Sequence, residues 1–390
     1  MLEPQSTVFF LLLMVTFGAL LCWVVVARQP VFRVLAACLA FIPAMMFGVA
    51  AVNKYYDYYQ NWGAAIADLT NQGVQAEVPN GSGTEVTFGT FLGNRIDTRI
   101  AAQQGYTLRL TVTGSASHLT RSVFVYLPPQ YFRAAYRHYR FPAIELLHGF
   151  PGVPQDWITV LGAPTVLAKL VSRGLAKPAV LVMPDANGGR GISLQCLNQV
   201  GGPQDATFLA SDLPRYIARV FRVWRPGRAW GIAGYSEGGF CAANLGLQYG
   251  SSFGFSGVLS GYFRPSDNQL SNPPRQVNPF GGNNRLARRN TPDDLVESLR
   301  PGASVPLFWL GVGSGDSSDV RNALIFDQLV KLRQPGVTLQ IVPGGGHTML
   351  TWRKLLPGML EWMTPRLARV VAYEQRVQAH PASSASPSRH

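Results

Sequence analysis

The chain has 390 residues, 47% hydrophobic and 14% charged, and its 34 Lys and Arg against 21 Asp and Glu leave a formal charge of +13. This composition excludes a disordered chain, and four cysteines without a C-x-x-C pair exclude a structural zinc module or a small disulfide scaffold. The basic excess favours an anionic partner, either nucleic acid or an acidic membrane surface.

The apolar residues are concentrated at the front. Val8 to Ala27 carries no charge, and a second uncharged run, Val34 to Val52, follows after Arg28 and Arg33. Each run is long enough to cross a hydrocarbon core of about 30 Å. A cleaved signal peptide is disfavoured: the leader before Val8 lacks Lys and Arg, and the first run is too long for a signal core. The expectation is a two-helix transmembrane hairpin over residues 1–53. Arg28 and Arg33 place its turn in the cytoplasm and everything after about residue 53 outside the membrane. Tyr55, Tyr56, Tyr58, Tyr59 and Trp62 fall where an interfacial aromatic belt belongs. Residues 54–84 then read as a juxtamembrane segment and linker.

Strand patterns follow at Val86–Leu92, Tyr106–Thr113 and Ser122–Leu127. From residue 141 short apolar runs alternate with amphipathic stretches. The runs are Ala143–Leu147, Ala179–Met183, Trp230–Ala233, Ser256–Leu259, Val305–Leu310 and Leu339–Val342, with helical patterns at Thr207–Phe221 and Asp319–Leu332. This rhythm predicts an α/β domain over 85–372, a mostly parallel sheet with helices on both faces. Arg264 to Asp294 is a Pro/Asn/Gly/Arg-rich insertion, expected to hang over the site as a cap. Residues 373–390 are expected to be a disordered tail.

One motif carries chemistry. Gly234-Tyr235-Ser236-Glu237-Gly238 matches G-x-S-x-G, follows the strand run Trp230–Ala233 and opens a helical stretch at Phe240–Leu247. In that setting flanking glycines allow a sharp turn that exposes a serine nucleophile. A second match, Gly250 to Gly254, follows a helical stretch and is expected to be a loop. Serine needs a base later in the chain, and elimination among six histidines leaves His347, in Gly344-Gly345-Gly346-His347 after the strand Leu339–Val342. The third member is a carboxylate just past the strand Val305–Leu310, either Asp316 or Asp319. Asp319 is expected to cap the helix that follows, and Asp316 is assigned to the histidine. The Phe150 N–H, in Leu147-His148-Gly149-Phe150-Pro151-Gly152, and the Glu237 N–H are the candidate oxyanion donors.

The segments LLHGFPG, GYSEGGF, the acid after the late strand and GGGH resemble the esterase D branch of the α/β-hydrolases, which includes feruloyl esterases and the antigen 85 mycolyltransferases. The similarity covers residues 85–372. It implies the α/β-hydrolase fold and serine-dependent acyl transfer to water or to a hydroxyl acceptor, with no metal or cofactor. An Asp acid departs from the Glu of the antigen 85 enzymes.

These features lead to a membrane-anchored serine esterase acting on lipid or cell-envelope esters, with aminoacyl-phosphatidylglycerol as one candidate. The open alternatives are an acyltransferase of the same fold and an inactive scaffold domain. Nucleic-acid binding is disfavoured, since no recognition motif accompanies the charge. Cys196 and Cys241, both in the outer domain, are expected to form a disulfide, whereas Cys22 and Cys38 lie in the spanning runs. Arg285, Arg288 and Arg289 in the insertion are expected to bind substrate phosphate.

Overall fold

A computed structural model describes residues 2–70, 75–78, 97–189, 193–265, 271–272, 275–276, 279–300, 303, 305–333 and 336–379. The chain divides into two compact units, one of residues 1–72 with 348–350 and one of residues 73–347 with 351–390.

The first unit is a helical hairpin. Helix α1 spans Thr7–Val26 and α2 spans Pro30–Tyr56, and both are long and apolar enough to cross a membrane. They run antiparallel: Phe10 near the start of α1 meets Phe47 late in α2, with ring centroids 5.2 Å apart. Val15, Val25, Phe41 and Val49 point outward, each more than two-thirds exposed. Such apolar exposure on a helix pair is compatible with lipid contact. Helix α3, Trp62–Leu69, turns back on the leader, and the Trp62 indole N–H donates to the Leu2 carbonyl at 2.5 Å. The two ends of the hairpin therefore meet on one side.

Among the described residues the second unit is built on a sheet of nine strands: β1 Ala76–Val78, β2 Tyr106–Thr113, β3 Thr120–Leu127, β4 Ala143–Leu147, β5 Val180–Pro184, β6 Gly227–Tyr235, β7 Phe253–Leu259, β10 Leu307–Gly313 and β11 Thr338–Val342. Their order is β1-β2-β3-β5-β4-β6-β7-β10-β11, and β3 alone runs against its neighbours. A two-stranded hairpin, β8 Ser271–Asn272 and β9 Arg275–Gln276, stands apart. Every residue of β4 and β5 is buried, as expected of parallel strands covered on both faces.

The helices of this unit are α4 Thr98–Gln104, α5 Asp156–Thr159, α6 Ala163–Ser172, α7 Asp205–Thr207, α8 Leu213–Val220, α9 Glu237–Gln248, α10 Asn284–Arg288, α11 Pro292–Glu297, α12 Ser317–Lys331 and α13 Met349–Ala379. Helix α13 contains Pro357 and Pro365 yet runs unbroken. Its buried row of Leu355, Met359, Met363 and Leu367 lies on strand glycines: a Cβ on Gly231 would meet Met363 Sδ at 2.6 Å, and one on Gly257 would meet Met359 Sδ at 2.6 Å. Packing of that face outweighs the cost of the prolines.

Two expectations change. The sheet begins at Ala76, inside the expected linker, because β1 pairs in parallel with β2. Residues 373–379, assigned to the tail, continue α13. Of Arg264–Asp294, expected as a cap over the site, the described part includes α10 and the start of α11. The expected strand Val86–Leu92 lies outside the described residues. The second glycine–serine match does form the turn between α9 and β7.

Candidate active site

The site forms at the carboxyl ends of β4, β6, β10 and β11. Ser236 sits between β6 and α9 with φ +55° and ψ −120°, a conformation that costs a non-glycine residue energy and persists only where surroundings enforce it. Two close approaches enforce it. A Cβ on Gly234 would lie 2.1 Å from the Gly238 carbonyl oxygen, and one on Gly238 would lie 2.2 Å from that of Leu147. The Ser236 N–H donates to Leu259 O at 2.9 Å, and its carbonyl accepts from Gly239 and Phe240 at the start of α9.

His347 follows β11. Its Nε2 lies 2.9 Å from Ser236 Oγ and its Nδ1 lies 2.8 Å from Asp319 Oδ2. Burial opposes charging of the imidazole, but the hydrogen bond and charge of Asp319, with Asp316 behind it, outweigh that and raise its pKa. The Asp319 carboxylate fixes the tautomer with the proton on Nδ1, which leaves Nε2 to accept the serine proton.

The carboxylate on His347 is therefore Asp319, and the assignment of Asp316 is corrected. Asp316 is the N-cap of α12. Its Oδ1 accepts the N–H groups of Ser318 at 2.9 Å and Asp319 at 3.0 Å, and the Ser318 hydroxyl at 2.7 Å. Burial works against ionisation of Asp316, but these donors prevail and lower its pKa. The helix starts two residues before the expected Asp319, so the two aspartates exchange roles. Oxygen and nitrogen atoms of Asp316, Asp319 and His347 lie within 4.8 Å of one another, a spacing that would admit a cation. The oxygens nearest His347 and the helix amides are already occupied, and Nε2 faces Ser236, which describes a proton relay better than a metal centre.

The turn after β4 lies directly against the nucleophile: a Cβ on Gly149 would meet Ser236 Cβ at 3.1 Å and the Tyr235 ring at 2.8 Å. Phe150 is in this turn, and Glu237 opens α9, where an N–H has no partner within the helix. A cleft of about 360 Å³ runs from Phe150 and Pro151 to Arg109, Asp185 and Asn187.

Several supporting residues have no sequence signature. Asp156, fully buried on α5, accepts the Tyr235 hydroxyl at 2.7 Å and the Val153 N–H at 3.0 Å, tying the turn to the residue before the nucleophile. The Ala186 N–H points at His148 Nε2 at 3.1 Å, so that nitrogen accepts and Nδ1–H donates to Gly149 O at 2.8 Å. The buried Glu237 carboxylate accepts from the Ser193 hydroxyl and from the Gln195 N–H at 3.2 Å. Burial raises its pKa, partly offset by the Ser193 bond. The same loop is held by the expected disulfide: Cys196 and Cys241 are bonded, with Cα atoms 5.7 Å apart.

Arg285, Arg288 and Arg289 do not line the cleft at Phe150. With Arg264 they line a separate cavity of about 760 Å³. Asn290, the next residue, accepts from Gln248 at 2.9 Å and Asn244 at 3.4 Å. Those partners sit about 12–18 Å along α9 from Ser236 at about 1.5 Å per residue.

A parallel-rich sheet with a strained serine after its central strand, a histidine after the last and an acid between them defines an α/β-hydrolase. The chain belongs to the Esterase family, described as "Putative esterase", whose sequence model matches residues 116–363. Two curated relatives are similar over parts of their length. An uncharacterized protein of Corynebacterium glutamicum is 26% identical over 250 residues, 63% of this chain and 57% of the relative. The MPT51 antigen of Mycobacterium leprae is 32% identical over 126 residues, 32% of this chain and 38% of the relative. The chain thus spans little more than half of the first relative and less of the second. Among solved structures, a ferulic acid esterase has a TM-score of 0.58 at 22% identity, covering 68% of this chain and 99% of the other. The S-formylglutathione hydrolase of Agrobacterium tumefaciens has 0.55 at 20%, covering 68% and 96%. These likenesses establish the fold.

Proposed function

We propose that the protein is a membrane-anchored esterase facing the outside of the cell. It cleaves carboxylic esters of lipid or envelope molecules through Ser236, His347 and Asp319. The observation that carries the chemistry is the continuous chain of contacts from Ser236 Oγ to His347 to Asp319.

In the acylation step His347 Nε2 takes the serine proton as Oγ attacks the ester carbonyl. The Phe150 and Glu237 N–H groups stabilise the resulting oxyanion, a contribution of about 3–4 kcal/mol for one such donor in related chemistry. Nε2 then protonates the departing alcohol and leaves an acyl-serine. Water, deprotonated by the same nitrogen, attacks in turn and releases the acid. A hydroxyl acceptor in place of water would make the cycle an acyl transfer.

The two-helix hairpin supports lipid or envelope substrates, aminoacyl-phosphatidylglycerol among them, and Arg28 and Arg33 at its turn support the outward orientation. Purified full chain should hydrolyse p-nitrophenyl butyrate, and a fluorophosphonate probe should label Ser236. Ser236→Ala and His347→Ala should each lose about 10⁴–10⁶-fold in kcat, with the double variant little worse. Retained turnover in Ser236→Ala, or labelling elsewhere, would remove the assignment. Added glycerol separates hydrolysis from transfer through the product formed, and protease on intact spheroplasts reports the orientation. Envelope lipids from cells with and without Ser236→Ala identify the ester.

A further inference from the structure

We propose that the cavity lined by Arg264, Arg285, Arg288 and Arg289 is a binding site for a phosphate ester, separate from the serine site and independent of its chemistry. Arg285 and Arg288 lie on α10, and Arg289 caps it. Among the described residues no carboxylate or hydrogen-bond acceptor engages these three guanidinium groups. Arg264 is different: Asp293 at 3.2 Å and Asp294 at 3.5 Å hold it. The cavity wall therefore presents four guanidiniums against the carboxylates of Asp294 and Glu297.

The arrangement is built. Asn283 caps α10 through the N–H groups of Arg285 and Leu286, at 3.0 and 3.1 Å. Leu286 and Ala287 pack on the main core, and buried Asn290 bonds Leu286 O at 2.9 Å as well as Gln248 and Asn244 of α9. With one face of the short helix fixed inward, the three arginines are turned outward together. Like charges three and four residues apart on a helix repel, so the cluster costs stability while it stands empty. A tetrahedral anion reverses that cost, because planar guanidiniums each offer two parallel donors to its oxygens. A volume of about 760 Å³ holds more than a bare ion and suits a group of glycerophosphate size. The same chemistry is offered by a soluble phosphate ester and by the headgroup of an anionic phospholipid.

The test uses the full chain in dodecyl maltoside micelles, titrated in a calorimeter with glycerol 3-phosphate. A parallel titration uses micelles doped with dioleoylphosphatidylglycerol, against dioleoylphosphatidylcholine as the zwitterionic control. Saturable binding of at least one anionic probe is expected, weakened more than about tenfold in the R285Q/R288Q/R289Q variant. Binding of glycerol 3-phosphate identifies a site open to soluble esters, and binding of phosphatidylglycerol alone identifies a lipid headgroup site. The corresponding lysine variant should fall between, since it keeps the charge and loses the paired donors. No binding of either probe, or equal binding by wild type and the glutamine variant, overturns the proposal. Thermal unfolding confirms that the variant is folded, and Arg288→Gln alone serves if the triple change is not.

Discussion

The serine site and the arginine cavity flank the same helix, α9, and treat charge in opposite ways. At the head of α9, Asp319 is bonded to His347, Asp316 to the amides of α12, Asp156 to Tyr235, and Glu237 to the loop at Ser193. Beside its second half, Arg285, Arg288 and Arg289 present guanidiniums that no described side chain engages. A site that performs proton transfer needs each group fixed in one tautomer and one direction, and partners provide that. A site that waits for an ion needs donors left unused. The contrast predicts that substitutions at the first region reduce activity or stability, whereas neutralisation at the second stabilises the empty protein.

The sharpest way to break the first half of this contrast is to exchange the two aspartates. Asp319→Asn should lose about 10²–10⁴-fold in kcat, because the amide allows the imidazole to turn and no longer favours its charged form. Asp316→Asn should act on stability, by about 0.5–2 kcal/mol as for other helix caps. A severe loss of kcat in Asp316→Asn with a mild one in Asp319→Asn would restore the acid assignment made from sequence. The pH profile adds a second reading. His347 must be neutral to act as base, and its pKa is raised, so the rising limb of kcat/KM should lie above the ordinary imidazole value of 6.5 and move down in Asp319→Asn. Its effect on stability has the opposite sign: full below the ordinary pKa, and lost as pH rises through the raised one.

The exchange of the aspartates also shows where sequence reading stops. The strand Tyr106–Thr113, the strand Ala143–Leu147 and the turn around Ser236 are legible because alternation, uninterrupted apolar runs and paired glycines are local properties. The start of α12 is not. Asp-Ser-Ser-Asp offers two capping aspartates, and a shift of three residues in the cap decides which one faces His347. Helix α13 escaped notice because Pro357, Gly358 and Pro365 interrupt its pattern, while the glycines that admit its packing face lie on distant strands. Asp156 and Ser193 owe their roles to contacts 79 and 44 residues away in sequence.

The next effect concerns the loop that Glu237 and the disulfide share. Reduction of Cys196–Cys241, which are 45 residues apart, should destabilise the protein by about 2–4 kcal/mol. Alkylation should reveal two additional thiols, Cys196 and Cys241, only after reduction. If both were labelled without a reductant, the bond would be excluded. Because the loop rests on Glu237, whose N–H is the proposed second oxyanion donor, kcat should fall with reduction at temperatures where the domain stays folded.

A smaller effect tests the rule of pairing inside the sheet itself. Glu145, at the centre of β4, is fully buried, and among the described residues neither carboxyl oxygen has a hydrogen-bond partner. Burial raises its pKa well above the usual 4.5, so the folded state retains the proton. The associated stability is full below the ordinary carboxyl pKa and is lost as pH rises towards the folded value. Glu145→Met should therefore raise the melting temperature more at pH 8 than at pH 4.5, with a gain of about 1–3 kcal/mol at the higher pH. A loss at both pH values would mean that the carboxyl has a structural partner.

The smallest effect belongs to the arginines and is a gain. Arg285 lies three residues from Arg288 and four from Arg289, so two repulsive pairs share one turn and a half of chain. Each such pair costs about 0.2–0.5 kcal/mol at low salt. R285Q/R288Q/R289Q should thus melt slightly above wild type without a phosphate ligand, and the difference should shrink as salt screens the charges. Saturating ligand should reverse the order, since it stabilises only the protein that binds it. Partnered guanidiniums would give the opposite result without ligand, because their removal would strip bonds and lower the melting temperature. The sign of a change of a degree or two therefore separates charge that is already engaged from charge held in reserve.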